Sequence, residues 1–360
     1  PSPYPKADRH QFQLSSDIFT PLGRPGRNGD GETDMAGEEG RNSLMIRGIF
    51  RGTLITSLFF LTVALVPFLS SMLLIFLPLP VCFYSIRLGR IGGLAVLISS
   101  LLILGAVQQT VASQLSITAF IILGGLGMII SEILRRNLTV GWTVCLAAAT
   151  GALIMGMMIL ASSMMHGKNP GDHIYHYLLA MVAENIKLYG EFDLPAEQVQ
   201  FLKDNSTRIA RVLTYTFPAL SLIGVSFIVL INLLVSRAVF RLRALPFPDF
   251  GNLTCWKAPE QLVWIFILSG IGVLIPLAEI KFLALNILAI CLFVYFLQGL
   301  AIGEFFFHKK KMPIFLRFLF YFLIMIQQYL MLLIAAAGLF DLWLDFRKLS
   351  TPAPKVNQNS

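Results

Sequence analysis

Long apolar runs free of Asp, Glu, Lys and Arg alternate along this chain with short connections, and every second connection carries most of the basic residues. The runs cover residues 53–86, 91–131, 138–167, 212–236, 261–278, 282–303 and 318–340. Each reaches or nearly reaches the roughly 20 residues that cross a hydrocarbon core. A helix of that length satisfies its own backbone in lipid, so the pattern predicts an all-α, polytopic transmembrane helical bundle.

Two of the runs are too long for one crossing. A single helix over 53–86 would measure about 51 Å at 1.5 Å per residue, against a core of about 30 Å. Pro67, followed by Ser70 and Ser71, offers a break there, and the polar waist at Gln108, Gln109, Ser113 and Gln114 offers one in 91–131. This raises the count to about eight or nine spans. With a cytoplasmic N-terminus, the inner connections receive fifteen Lys and Arg against six outside, as positive-inside orientation requires. A ninth leg through 318–340 would carry Arg347 and Lys348 outside, so either that leg folds back near Gln327 and Gln328 or the tail departs from the rule.

Composition supports a lipid-embedded chain. Of the 360 residues, 56% are hydrophobic and 13% are charged, about half the charged share of a soluble globular domain. The net charge of +8 does not indicate nucleic acid, because the cations sit at the ends of apolar runs, where they suit anionic headgroups. Cys82, Cys145, Cys255 and Cys291 are scattered without paired spacing, which supports neither a disulfide framework nor a metal knuckle.

Two segments differ from the membrane body. Residues 1–45 are polar and rich in Pro and Gly, lack apolar periodicity, and are expected to be a disordered extension. Met45 stands just before the first span, so part of that stretch is expected to be upstream sequence, and it does not resemble a signal peptide. Residues 166–211 form the largest outer connection. There Ile174, Leu178, Met181, Val182 and Ile186 recur at helical spacing and make one apolar face, and Asp193 with Pro195 marks a second helix. An amphipathic extracytoplasmic helical segment results, placed to act as a lid. The expected organisation is therefore a six-span domain over 46–236 that includes 166–211, a basic cytoplasmic loop over 237–258, a two- or three-span bundle over 259–349, and a disordered tail over 350–360.

Candidate chemistry is sparse. Asn232, Asn286, Gln298 and Gln327 lie deep in apolar runs, either as hydrogen-bonded packing contacts or as a polar pocket for a small ligand. Gln328 cannot share a helical face with Gln327. Glu132, Glu279 with Lys281, Glu304, and Asp341 with Asp345 fall near span ends as interfacial anchors, with Arg347 and Lys348 completing a surface ion-pair cluster. His173 and His176 are a His pair at i and i+3 without the further ligands a zinc site needs. No G-x-S-x-G elbow or cofactor fingerprint is present, so neither enzymatic activity, a cofactor nor a metal is expected. Gly299 and Gly303 form a GxxxG step for close helix packing.

Five short motifs carry a resemblance. They are Leu245-Pro246-Phe247-Pro248 with Trp256-Lys257-Ala258-Pro259, Gln298-Gly299-Leu300-Ala301, Phe305-Phe306-Phe307 before Lys309 to Lys311, and Gly338-Leu339-Phe340-Asp341 before Phe346-Arg347. Together they resemble the YybS-like family of bacterial inner-membrane proteins of unknown function. The Pro78-Leu79-Pro80 step and Arg87-Leu88-Gly89-Arg90 make the first six spans similar to the substrate-binding subunits of energy-coupling-factor vitamin transporters and, at the same coarse level, to the shape-determining protein MreD. The resemblance implies a multi-pass protein of the bacterial inner membrane. Its partners would be the lipid bilayer, a small-molecule ligand, and a cytoplasmic protein at the basic loops. The function expected is small-solute binding or transport, the alternative a non-enzymatic membrane scaffold.

Overall fold

A computed structural model describes residues 31–109, 116–136, 138–167, 169–191, 195–243, 245, 247 and 253–347. Residues 1–30 of the extension expected over 1–45, and residues 348–360, which include Lys348 and the tail expected over 350–360, lie outside them, while residues 31–45 are helical. Every regular element among the described residues is helical: α1 (Gly31–Leu65), α2 (Pro67–Leu73), a short 3-10 turn (Leu74–Phe76), α3 (Pro78–Gln108), α4 (Ile117–Leu134), α5 (Val140–Met165), α6 (Pro170–Glu191), α7 (Ala196–Asp204), α8 (Ser206–Leu242), a second 3-10 turn (Leu253–Cys255), α9 (Leu262–Leu274), α10 (Ala278–Lys309), α11 (Ile314–Ile326) and α12 (Gln328–Leu344).

Among the described residues, six helical stretches are long and apolar enough to cross a membrane, or seven when the bent pair α11 and α12 is taken as one span. The all-α polytopic fold is as the sequence predicts, with fewer full-length spans than eight or nine. Two features explain the difference. Helix α9 has 13 residues and extends only about 20 Å. The other is the stretch Leu74–Gln108, which is two helices joined across a kink at Gly89, where the backbone leaves helical geometry with φ 83° and ψ 179°.

That backbone region is open almost only to glycine, and the chain turns back there. Residues 85 and 93 of a straight helix would stand about 12 Å apart. Instead, a Cβ built on Gly93 would lie 2.6 Å from the Ser85 Cα. On α1, Gly52 faces both Val96 and Tyr84, at 2.8 and 3.0 Å from its own ideal Cβ. The Arg87 to Arg90 connection read from the sequence is therefore a tight helical hairpin with Gly89 at its tip. The break at Pro67 is also present, with the proline in the first turn of α2.

The chain divides into two compact units, Pro1–Met155 with Val225–Phe250, and Gly156–Gly224 with Gly251–Ser360. The outer segment thus groups with the C-terminal helices rather than with a domain over 46–236. In the first unit Phe60, Val63, Leu77, Val81, Leu97, Leu104 and Phe120 form the core between α1, the α3 hairpin and α4. Glycine lets the backbones approach: Gly127 of α4 rests on the Pro78 carbonyl and lies close to Cys82 N. A second cluster joins Phe83, Tyr84 and Val96 to Phe240 of α8.

In the second unit α9 and α12 both pack on α10, around Tyr295, Ala258 and Ala335. Helices α11 and α12 meet at Gln327 with a bend of 111°.

Candidate functional site

Of the residues that carry the resemblance, Leu245 and Phe247 pack in the first unit beside Phe83 and Phe240, and Phe307 packs on Phe320. Trp256 to Ala258, Gln298 with Gly299, and Gly338 and Asp341 with Arg347 are far apart in sequence and meet in one place in the second unit. Three turns of chemistry build it. Helix α12 ends at Asp345, whose left-handed backbone (φ 39°) reverses the chain after its N–H has bonded to the Asp341 carbonyl. The reversal brings Arg347 back onto its own helix, where Nη2 donates to Asp341 Oδ2 at 2.8 Å. Neither side chain of this ion pair is exposed. Arg347 Nη1 donates to the carbonyls of Thr254 and Trp256, at 2.7 and 2.9 Å. Gln298 of α10 closes the ring: its Nε2 donates to Asp341 Oδ2 at 3.1 Å, and its Oε1 accepts from Ala258 N at 3.1 Å. Lys257 joins from the outer side, 3.2 Å from Asp345 Oδ1.

The knot depends on a close helix crossing. A Cβ on Gly299 would run into the Ile334 carbonyl, and one on Gly338 into the Tyr295 carbonyl. Only glycine at both positions lets α10 and α12 approach backbone to backbone, which brings Gln298 within reach of Asp341. The carbonyls at Thr254 and Trp256 and the Gln298 amide supply the hydrogen bonds that a buried pair needs to offset desolvation. The satisfaction is incomplete, since Asp341 Oδ1, Arg347 Nε and the nearby Tyr295 hydroxyl meet no partner among the described residues. Exposed Trp264 and Trp343 lie on α9 and α12, the two helices packed on α10, and mark a membrane-interface level.

Asp341 and Arg347 are therefore not a surface cluster, as their closeness to a span end suggested. They are sealed inside, and only Lys257 and Asp345 meet solvent. The sequence signal was the composition around Asp341, an acid flanked on both sides by Gly, Leu, Phe and Trp within one helix. That context indicates a carboxylate inside a bundle rather than one that snorkels.

Asn232 is buried in the first unit, where it donates to the Ile75 carbonyl at 2.8 Å and to Ile228 of its own helix. Asn286 and Gln298 stand twelve residues apart on α10, about 18 Å. Asn286 serves α8, donating to the Tyr215 carbonyl at 2.8 Å and accepting from Ala219 N at 2.9 Å. Gln327 and Gln328 occupy the break between α11 and α12 with their side chains exposed, not facing the bundle interior. Of the GxxxG pair, Gly299 makes the backbone crossing, and Gly303 abuts the Phe320 ring at 3.4 Å.

Along α6, Ile186 is buried, Ile174, Leu178 and Val182 are half-buried, and Met181 is exposed. The second outer helix starts after Pro195, and α7 breaks from α8 at Asn205. The His173 ring lies 6.2 Å from that of His166, and His176 is exposed. Among the described residues no group of three His, Cys, Asp or Glu is placed to hold a metal. Glu132 forks with Arg90, and Glu304 bonds to Arg317 and the Tyr321 hydroxyl.

Comparison with known proteins agrees with the YybS-like resemblance. The chain is 26% identical over 284 residues, 74% of its length, to the uncharacterized protein YybS of Bacillus subtilis (strain 168), of which 86% is covered. No solved structure matches. The likeness to transporter substrate-binding subunits and to MreD rests on the sequence reading alone. A family model described as a predicted membrane protein, DUF2232, matches residues 54–342, well over half of the chain, and the chain belongs to that family.

Proposed function

We propose that this is a solute-binding or transport-type protein of the bacterial inner membrane, with a cytoplasmic N-terminus and no chemistry of its own. The observation that carries the reading is the broken pair α11 and α12, bent by 111° at Gln327 and anchored at its far end by the buried Asp341–Arg347 pair. Broken helices at membrane depth are tolerated where they are buried in protein or line a water-filled cavity, and transport proteins place their binding sites at such breaks. Exposed Gln327 and Gln328 offer uncharged donors and acceptors there, suited to a small polar solute. Helices α6 and α7 form the lid.

The test is native mass spectrometry after extraction in mild detergent. A small molecule retained by the wild type and lost in Gln327→Leu/Gln328→Leu supports the reading; retention unchanged by the double substitution refutes the proposed site.

A scaffold role is the second reading, and one observation favours it. Arg317 and Tyr321 both hold Glu304, which fixes the turn after α10 and leaves Lys309, Lys310 and Lys311 exposed together. A cytoplasmic protein that co-purifies with the wild type but not with Lys309→Glu/Lys310→Glu/Lys311→Glu would support it.

A further inference from the structure

Past its first 42 residues, the first unit differs from the second in the kind of cation it uses. Residues 43–155 and 225–250 contain nine arginines and no lysine, whereas residues 156–224 and 251–360 contain ten lysines and four arginines. Orientation in a membrane asks only for positive charge, which lysine supplies equally well. Arginine adds a rigid fork of donors that matches phosphate and carboxylate oxygens two at a time.

The fold gathers these arginines at one end of the unit. Leu88, beside Arg87 at the hairpin tip, fills the space over Gly48 of α1, between Arg47 and Arg51. Arg135, just past the end of α4, donates from Nη2 to the Ser85 carbonyl at 2.7 Å, which places it and Arg136 against the same hairpin. Phe240 of α8 packs 5.0 Å from Phe83, and the Arg243 guanidinium lies 5.6 Å from the same ring. Trp142, exposed near the start of α5, marks the membrane-interface level at this end.

By sequence these stretches hold two acids, Glu132 and Asp249, the second outside the described residues, and α1 carries four more upstream of Arg47, at Glu32, Asp34, Glu38 and Glu39. Glu132 is engaged by Arg90, whose Nε lies 2.7 Å from Oε2, and by Arg135 at 4.0 Å. Arg47, Arg51, Arg87, Arg136, Arg241 and Arg243 remain exposed around that internal fork.

We propose that this collar binds the phosphate groups of anionic phospholipids in the adjoining leaflet, with the exposed guanidinium groups forking onto phosphate oxygens. Glu132, Arg90 and Arg135 are structural, holding the hairpin tip against α4. A soluble acidic protein is the alternative occupant; the lipid is favoured because the patch lies at the membrane interface, where headgroup phosphates are always within reach.

The test titrates phosphatidylglycerol or phosphatidylcholine onto the detergent-solubilised full chain and counts bound lipids by native mass spectrometry. The wild type should hold phosphatidylglycerol in preference to phosphatidylcholine. Replacing Arg87, Arg136, Arg241 and Arg243 together by Gln should weaken phosphatidylglycerol binding roughly tenfold or more, since each cation near an anionic surface contributes severalfold. The corresponding Lys variant should fall between the two. If the quadruple variant does not fold, Arg136→Gln and Arg241→Gln singly should each weaken binding severalfold. Equal binding of both lipids, or Gln variants that bind like the wild type, would overturn the proposal. So would a Lys variant equal to the wild type, which would reduce the effect to charge alone. Displacement of the lipid by inorganic phosphate would assign the site to free phosphate instead.

Discussion

Gly299 of α10 and Gly338 of α12 touch backbone to backbone: the ideal Cβ of Gly338 would lie 2.8 Å from Gly299 N. No side chain can enter that contact without moving a whole helix. Overpacking costs about 1–3 kcal/mol and more where the backbone itself must move, so Gly299→Val and Gly338→Val should each lower the melting temperature in detergent markedly. Gly303→Ala adds a Cβ 3.4 Å from a ring that can shift, and should melt close to the wild type.

The buried pair should show strong coupling. Removing one partner of a sealed ion pair leaves an uncompensated charge at a cost of about 3–5 kcal/mol. Asp341→Asn and Arg347→Gln should each destabilise by about that amount. The double variant should cost less than the sum of the two, because neither charge is then left alone. Thermal melting of the four proteins checks this as a double-mutant cycle, and additive losses would show that the pair does not hold the knot together.

Asn286 and Pro218 make a different kind of lock. Proline has no N–H and its ring crowds the preceding turn. In α8 the residue after it, Ala219, donates its N–H to Asn286 Oδ1, and the Tyr215 carbonyl one turn earlier accepts from Asn286 Nδ2, so the amide of α10 bridges the turn at the proline. The Tyr215 and Phe282 rings stack 3.9 Å apart beside it. Asn286→Leu should cost about 1–3 kcal/mol by stranding the buried Ala219 N–H. Adding Pro218→Ala should recover most of that loss, because a continuous helix then closes its own bond.

The fold class was legible in the sequence because hydrophobic periodicity and length are local properties. Pro67 and the Gln108 waist marked real helix ends for the same reason, with α3 closing at Gln108 and α4 capped by Ser116. The hairpin at Gly89 was also legible, since two arginines flank a glycine between apolar runs. Convergence was not. Nothing local to Trp256, Gln298 and Arg347 says that they share one site, and the partners of Asn286 lie some 70 positions away. Asp341 was misread because distance to a span end measures depth along one helix and carries no information about which neighbour covers the side chain.

On the outer helix α6, burial ranks the apolar face. Ile186 is the most enclosed of its residues and Met181 is among the exposed ones. Burial of such a side chain contributes roughly 1.5–3 kcal/mol, so Ile186→Asp should release the helix and expose it to limited proteolysis. Met181→Asp and the pair His173→Gln/His176→Gln should leave the cleavage pattern unchanged. An essential His pair with a dispensable Ile186 would sink the lid reading.

The last expectation concerns the side on which the chain ends. A straight helix over α11 and α12 would be about 46 Å long and would carry its far end across the membrane. The bend at Gln327 prevents this, and Arg347 is bonded to the carbonyls of Thr254 and Trp256, on either side of Cys255. Cys255 and Phe346 therefore face the same compartment, which is the cytoplasm in the proposed orientation. Both Cys255 and Phe346 are exposed, while Cys82 and Cys291 are buried. With Cys145 replaced by Ser, an impermeant maleimide should label Cys255, and a cysteine introduced by Phe346→Cys, only after the cells are opened. Labelling of the introduced cysteine in intact cells, with Cys255 still protected, would mean that the last helix pair crosses the membrane after all.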